Sequence, residues 1–215
     1  KNVTPVCVPV KLVCDNLDGV DFHNVPLLCI NGTKIDDCTG MPLAGWTINL
    51  QDASGAVKAT TTTDAAGKYS FCGLESGNYT VCEVMQAGWK NVTPVCVTVP
   101  LRCENIDGVD FHNVPLLCIN GTKIDDCTGM PLAGWTINLQ DASGAVKATT
   151  TTDAAGKYSF CGLESGNYTV CEVMQAGWKN VTPVCVPVKL VCDNLDGVDF
   201  HNVPLLCING TKIDD

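Results

Sequence analysis

Three polar residues recur where an alternating pattern turns side chains into an apolar interior: Lys34, Glu83 and Asn113, copied as Lys123, Glu172 and Asn202. A charge buried without a partner is strongly destabilising, so each member needs a neighbour. Two readings of the set stay open. In one, Lys34 snorkels to the domain edge and Glu83 makes an ordinary salt bridge with it. In the other, the set is reactive. Burial favours the free amine of the lysine and the protonated carboxyl of the glutamate; the carboxyl polarises an asparagine amide and shuttles protons while the amine displaces ammonia. The product is an isopeptide bond joining the first strand of a domain to its last.

Cysteine is the second chemical resource. The 215 residues hold 15 cysteines. Six fall in each period: Cys29, Cys38, Cys72, Cys82, Cys96 and Cys103, then Cys118, Cys127, Cys161, Cys171, Cys185 and Cys192. Zinc-type CxxC and His spacings are missing, so a disulfide framework in an oxidising, extracellular setting is expected. Cys29 and Cys38 bracket an extended strand far longer than the roughly 5.5 Å between bridged Cα atoms. Cys29 must therefore reach another strand, a neighbouring repeat or another chain. Cys72 with Cys82, and Cys96 with Cys103, are near enough in sequence to bridge locally if their strands meet. Alternation turns Cys29, Cys72 and Cys82 away from the core and leaves Cys38 in a turn, which suits surface staples within a domain or between chains.

Other constellations promise less. Asn-x-Thr sequons at Asn2, Asn31, Asn78, Asn91, Asn120, Asn167, Asn180 and Asn209 make Asn31, Asn78, Asn120 and Asn167 the glycosylation candidates. Pro5, Pro94 and Pro183 disfavour use of Asn2, Asn91 and Asn180. His23, His112 and His201 are one outward residue copied three times, with no nucleophile or acid at a defensible spacing. The acidic loop at residues 15–21, repeated from Glu104 and from Asp193, has oxygens suited to calcium. Its spacing follows no known calcium loop, and Asp-Gly turns form for conformational reasons alone. No metal, no cofactor and no enzymatic activity are expected. A net charge of −10 argues against nucleic acid or an anionic membrane as partner, and no apolar run reaches the ~18 residues of a spanning helix.

The elements that must position these residues are strands in a tandem repeat. Phe22, Phe111 and Phe200 set a period of 89 residues, with residues 18–97 matching 107–186 letter for letter. The chain divides into a partial repeat at 1–28, complete repeats at 29–117 and 118–206, and a first strand at 207–215. The junctions lack Gly and Ser, so the copies are expected to be joined stiffly. Within a repeat, alternation marks about seven short strands. Leu28, Ile30 and Lys34 face inward on the first, Trp46, Ile48 and Leu50 on the second, and "AVKATTTT" reads as an exposed third. Tyr69 and Phe71 follow, then Tyr79, Val81 and Glu83, then strands around 95–99 and 109–113. Trp46 and Trp89 read as core. The fold class is all-β, a series of Ig-like sandwiches.

The blocks "KIDDCTGMPLAGWTINLQDASG", "TTDAAGKYSFCGLESGNYTVCEV", "QAGW" and "VDFHN" resemble the collagen-adhesin B-type (Cna-B or SpaA-like) repeats of bacterial and archaeal cell-surface proteins. The resemblance covers essentially the whole period. It implies a prealbumin-like sandwich and, in many members, an isopeptide between a first-strand Lys and a last-strand Asn assisted by an acid. Carried over, those positions are Lys34, Glu83 and Asn113, and Lys123, Glu172 and Asn202. Members usually carry few cysteines, whereas these repeats carry six each, so disulfides are an alternative means of stapling. The expected function is structural: a tandem array forming an extracellular filament, sheath or surface layer, with copies of itself as partners head to tail and laterally, including through interchain disulfides. The alternative is the stalk of an adhesin whose binding domain lies elsewhere.

Overall fold

The computed structural model describes residues 24–206. Asn2, His23, Asn209, the acidic loop at 15–21, nearly all of the partial repeat at 1–28 and the strand at 207–215 lie outside the described residues. Among the described residues all regular structure is strand. The first repeat contains β1 (Leu28–Asp36), β2 (Thr47–Gln51), β3 (Val57–Thr62), β4 (Lys68–Leu74), β5 (Gly77–Glu83), β6 (Trp89–Asn91), β7 (Cys96–Leu101) and β8 (Phe111–Pro115). The second repeats them as β9 (Leu117–Asp125), β10 (Thr136–Gln140), β11 (Val146–Thr151), β12 (Lys157–Leu163), β13 (Gly166–Glu172), β14 (Trp178–Asn180), β15 (Cys185–Leu190) and β16 (Phe200–Pro204). The chain forms two compact units, divided for most of its length between Asn113 and Val114.

Each repeat is a sandwich of two four-stranded sheets, ordered β4-β1-β8-β6 and β3-β2-β5-β7 in the first and equivalently in the second. Eight strands form rather than about seven. The addition, β6, has three residues, too few for alternation to register. Sheet parity follows the sequence: β1 alternates buried and half-buried along its whole length, while β3 stays largely exposed. Ile30, Ile48, Leu50, Val81, Leu101 and Phe111 are fully buried between the sheets, with Trp46 beside them. Trp89 and its copy Trp178 are only half-buried, and Trp178 meets the buried Trp135 edge-on with ring centroids 5.7 Å apart.

The edge of β1 that receives β8 is prepared by the acidic loop before it. Ile106 donates to the Cys29 carbonyl and accepts from the Asn31 amide, so residues 105–110 extend the parallel pairing of β1 with β8. Loop side chains take the remaining donors: Asn105 Oδ1 accepts from Cys29 N at 2.8 Å, Asp107 Oδ1 from Asn31 Nδ2 at 2.8 Å and Asp110 Oδ1 from Thr33 N at 2.7 Å. Asn105 and Asp110 thus do for the backbone of β1 what ladder carbonyls would, while Asp107 holds the Asn31 side chain.

The loop lies so close to β1 that position 32 has room for no side chain. A Cβ on Gly32 would sit 2.0 Å from the Val109 carbonyl oxygen and 2.6 Å from the Tyr69 hydroxyl, which itself donates to that carbonyl. Gly32→Ala is expected to lower the unfolding free energy by about 1–3 kcal/mol, as overpacking does. Urea titration of single variants at Gly32 and Gly121 would measure it, and unchanged midpoints would show that the loop gives way freely.

Candidate functional site: a buried Lys–Glu–Asn cluster

Strand parity and sheet order together create the site. Lys34 is the inward residue opposite Phe111 in the parallel β1–β8 pair, and Asn113 lies two residues farther along β8, again inward. Glu83 closes β5 in the facing sheet, where it pairs with Ile48 of β2. All three point into the space between the sheets. Lys34 and Asn113 are 0% exposed and Glu83 is 3% exposed, so the lysine does not snorkel to the edge.

Lys34 Nζ stands 2.5 Å from Asn113 Oδ1, 3.2 Å from Glu83 Oε2 and 3.3 Å from the Phe111 carbonyl oxygen. Its ammonium also lies over the Trp46 ring, 4.5 Å from the centroid. The second repeat reproduces the cluster: Lys123 Nζ is 2.6 Å from Asn202 Oδ1, 3.3 Å from Glu172 and 4.5 Å from the Trp135 ring centre. In each repeat the amide nitrogen of the asparagine turns away from the lysine toward a methionine sulfur, Met85 at 3.6 Å and Met174 at 3.8 Å.

The electrostatics oppose a fully charged pair. Burial pulls the proton affinity of Lys34 below that of a free lysine, against the attraction of Glu83. Burial also raises that of Glu83, against Lys34 first and then Asn113 and Trp46. Lys123 and Glu172 shift in the same directions for the same reasons. Moving one proton from ammonium to carboxylate would leave a free amine facing an amide carbonyl, with a carboxylic acid beside both. This arrangement can support acyl transfer from the amide to the amine.

SdrD B-like domains match the chain over residues 29–99 and 118–186, one match in each repeat. The chain belongs to the SdrD B-like domain family. It is similar to serine-aspartate repeat-containing protein D of Staphylococcus aureus strain Newman, 34% identical over 165 residues, covering 65% of this chain and 12% of that protein. Protein F of Staphylococcus epidermidis strain ATCC 12228 is 33% identical over 162 residues, covering 65% of the chain and 10% of the relative. The chain therefore spans about an eighth or less of these relatives. Among solved structures it resembles a streptococcal ancillary pilin, with 21% identity, TM-score 0.42 and coverage of 85% of this chain and 64% of that one. It also resembles the shaft pilin SpaA of Lactobacillus rhamnosus GG, with 16% identity, TM-score 0.41 and coverage of 86% and 100%. As a B-type repeat it is a cell-surface domain of the Cna-B group that its motifs resemble.

In this SdrD B-like chain the cysteines divide sharply. Cys29 bonds Cys72 across the β1–β4 pair, and Cys82 bonds Cys96 across the β5–β7 pair. Cys118–Cys161 and Cys171–Cys185 repeat them. Local bridging of Cys72 with Cys82 does not occur, because β4 and β5 belong to opposite sheets. Nor does Cys96 bridge Cys103; Cys96 opens β7 and Cys103 follows its far end, and Cys96 is already committed to Cys82. Cys38 and Cys192 are also disulfide-bonded. Cys103 and Cys127, expected in bridges, are free and exposed.

Two other readings change. His112 does have an acid partner: its Nδ1 is 2.9 Å from Asp37 Oδ1, a residue 75 positions away, and His201 pairs with Asp126 in the same way. The pair fastens the β8 edge to the turn after β1. The sequon amides of Asn31 and Asn120 each donate to a loop aspartate at 2.8 Å, whereas Asn78 and Asn167 are exposed on β5 and β13. Among the described residues no helix is long and apolar enough to cross a membrane.

Proposed function

We propose that each repeat, taken as 29–117 and 118–206, is a self-stapling strut in an extracellular filament, sheath or surface layer. The observation that carries this reading is the Lys34–Asn113 contact of 2.5 Å beside the buried Glu83, present again in the second copy. The Lys34 amine attacks the side-chain carbonyl carbon of Asn113, and Glu83 passes a proton to the departing nitrogen. A carbon–nitrogen bond to the lysine forms, the carboxamide bond breaks and ammonia leaves. The same step joins Lys123 to Asn202 with Glu172.

The topology gives that bond a mechanical purpose. The chain runs into the sandwich along β1 and leaves along β8, its parallel neighbour. Tension along the array therefore shears β1 against β8. A bond between residues 79 apart, on those two strands, carries the load past everything between them. The linkage is also neutral, so the desolvation cost of a buried ion pair disappears.

Copies of the chain are the proposed partners, head to tail and laterally, and the exposed Asn78 and Asn167 are the proposed glycan acceptors. A second reading, the stalk of an adhesin, is favoured by the much greater length of the relatives; a distinct binding domain elsewhere in the full gene would support it. Intact mass of the reduced chain decides the staple. One ammonia is expected to be missing per complete repeat, and a mass equal to the sequence would overturn the reading.

A further inference from the structure

A methionine follows the buried glutamate by two residues in both repeats, as Met85 after Glu83 and Met174 after Glu172. Glu83 closes β5, and the next residue, Val84, donates its amide to the Thr47 carbonyl at the start of β2. Met85 therefore lies just past the strand end, where its side chain folds back over the cluster. Asn113 Nδ2 donates to Met85 Sδ at 3.6 Å, and Asn202 Nδ2 to Met174 Sδ at 3.8 Å. Burial separates this residue from the rest of the site. Lys34, Asn113, Glu83 and Trp46 are all closed off from solvent, whereas Met85 is 37% exposed and Met174 39%. The methionine thus touches the nitrogen that would leave and reaches solvent as well.

A carboxamide can sit in either of two orientations, and only one serves an attack by Lys34. A thioether sulfur accepts hydrogen bonds weakly and has no proton to donate. Turned the other way, the amide would aim its oxygen at a group without a donor and its N–H groups at the lysine. While Lys34 is an ammonium, its own contact with Oδ1 at 2.5 Å holds the productive orientation. That hold weakens once a proton moves to Glu83, because the amine must then aim its lone pair at the carbonyl carbon. The attraction of Asn113 for the Glu83 carboxylate fades in the same step. The sulfur keeps its preference throughout, since it does not titrate.

We infer that Met85 and Met174 are positioning residues of the stapling reaction. Each keeps the amide carbonyl turned to the lysine and the amide nitrogen turned to itself, and the ammonia departs past its half-open side chain. This inference rests on the proposed staple and deepens it. The bond from Lys34 Nζ to the Asn113 carbonyl carbon forms and the carboxamide carbon–nitrogen bond breaks. Glu83 gives its proton to the departing nitrogen and recovers one from the attacking nitrogen. The thioether itself is unchanged.

The test uses the 215-residue chain with two single variants, M85L and M85Q, in which the untouched second repeat serves as an internal clock. Each chain is purified denatured and reduced, then refolded by dilution into a glutathione couple. Samples are stopped at intervals by denaturation and reduction, and intact mass counts the ammonia lost. The parent should lose two ammonia molecules at one rate. M85L should lose one at that rate and the other about threefold to tenfold more slowly, the factor that one ordinary hydrogen bond commands. M85Q restores an acceptor and should bring the slow loss back toward the parental rate. Packing alone predicts the opposite order, because leucine replaces methionine better than glutamine does. Two equal losses in M85L, or a first repeat no faster in M85Q than in M85L, would overturn the inference and leave the staple standing. A parent that loses no ammonia would overturn the staple and this inference with it.

Discussion

Replacing Glu83 with alanine is expected to leave the reduced chain one ammonia below the mass of its own sequence, where the parent is two below, with the first repeat unstapled and the second intact. Among the described residues Glu83 is the carboxyl within salt-bridge reach of Lys34, at 3.2 Å, and it is the proton carrier of the proposed reaction. The same change leaves an ammonium buried between the sheets with only carbonyl oxygens and the Trp46 face for company. Removing one partner of a buried pair costs about 3–5 kcal/mol, a large share of a small domain's stability. Two effects are thus superimposed, and a double variant separates them. Lys34→Met with Glu83→Leu substitutes apolar groups of similar volume, which is often neutral or stabilising at a buried ion pair. Equilibrium stability in urea should largely recover, while the missing ammonia and the resistance of the first repeat to pulling do not return. If the cluster is only an ion pair, Glu83→Ala costs stability with no change in mass relative to the unlinked sequence, and the double variant is mechanically equivalent to the parent.

The disulfides should rank by the loop each closes. Cys29–Cys72 spans 43 residues and Cys82–Cys96 spans 14. On the chain-entropy account, losing the first costs about 4 kcal/mol and losing the second about 3 kcal/mol. Paired serine substitutions measured by chemical denaturation would give the order. The difference should shrink once Lys34 is joined to Asn113, because a staple across 79 residues already encloses the Cys82–Cys96 loop, overlaps most of the Cys29–Cys72 loop and restricts the unfolded chain. Comparing each pair of serine variants in the parent and in Glu83→Ala backgrounds therefore tests disulfides and staple together. Equal costs in both backgrounds would mean that no covalent bond joins Lys34 to Asn113.

Outward parity of a cysteine proved a better guide to its use than sequence proximity. Cys29 and Cys72 were legible as outward residues on strands, and they meet because β4 is the neighbour of β1. Cys72 and Cys82 are closer in sequence, yet a sandwich places consecutive strands β4 and β5 in different sheets. Asp37 was invisible as a partner of His112 for the same reason, since 75 residues separate them. The acidic loop carried the right oxygens for a cation, but their use was decided by the unpaired amides on the edge of β1.

The sequence by itself determined the repeat, the strands and the inward direction of Lys34, Glu83 and Asn113, because alternation is a local property and a polar residue out of phase with its apolar neighbours is conspicuous. Tertiary structure decided which strands are neighbours. That choice rests on pairings between residues tens of positions apart, whose free energy no short window contains. It brought Lys34 to 2.5 Å from Asn113, matched Cys29 with Cys72, and left Cys103 and Cys127 exposed.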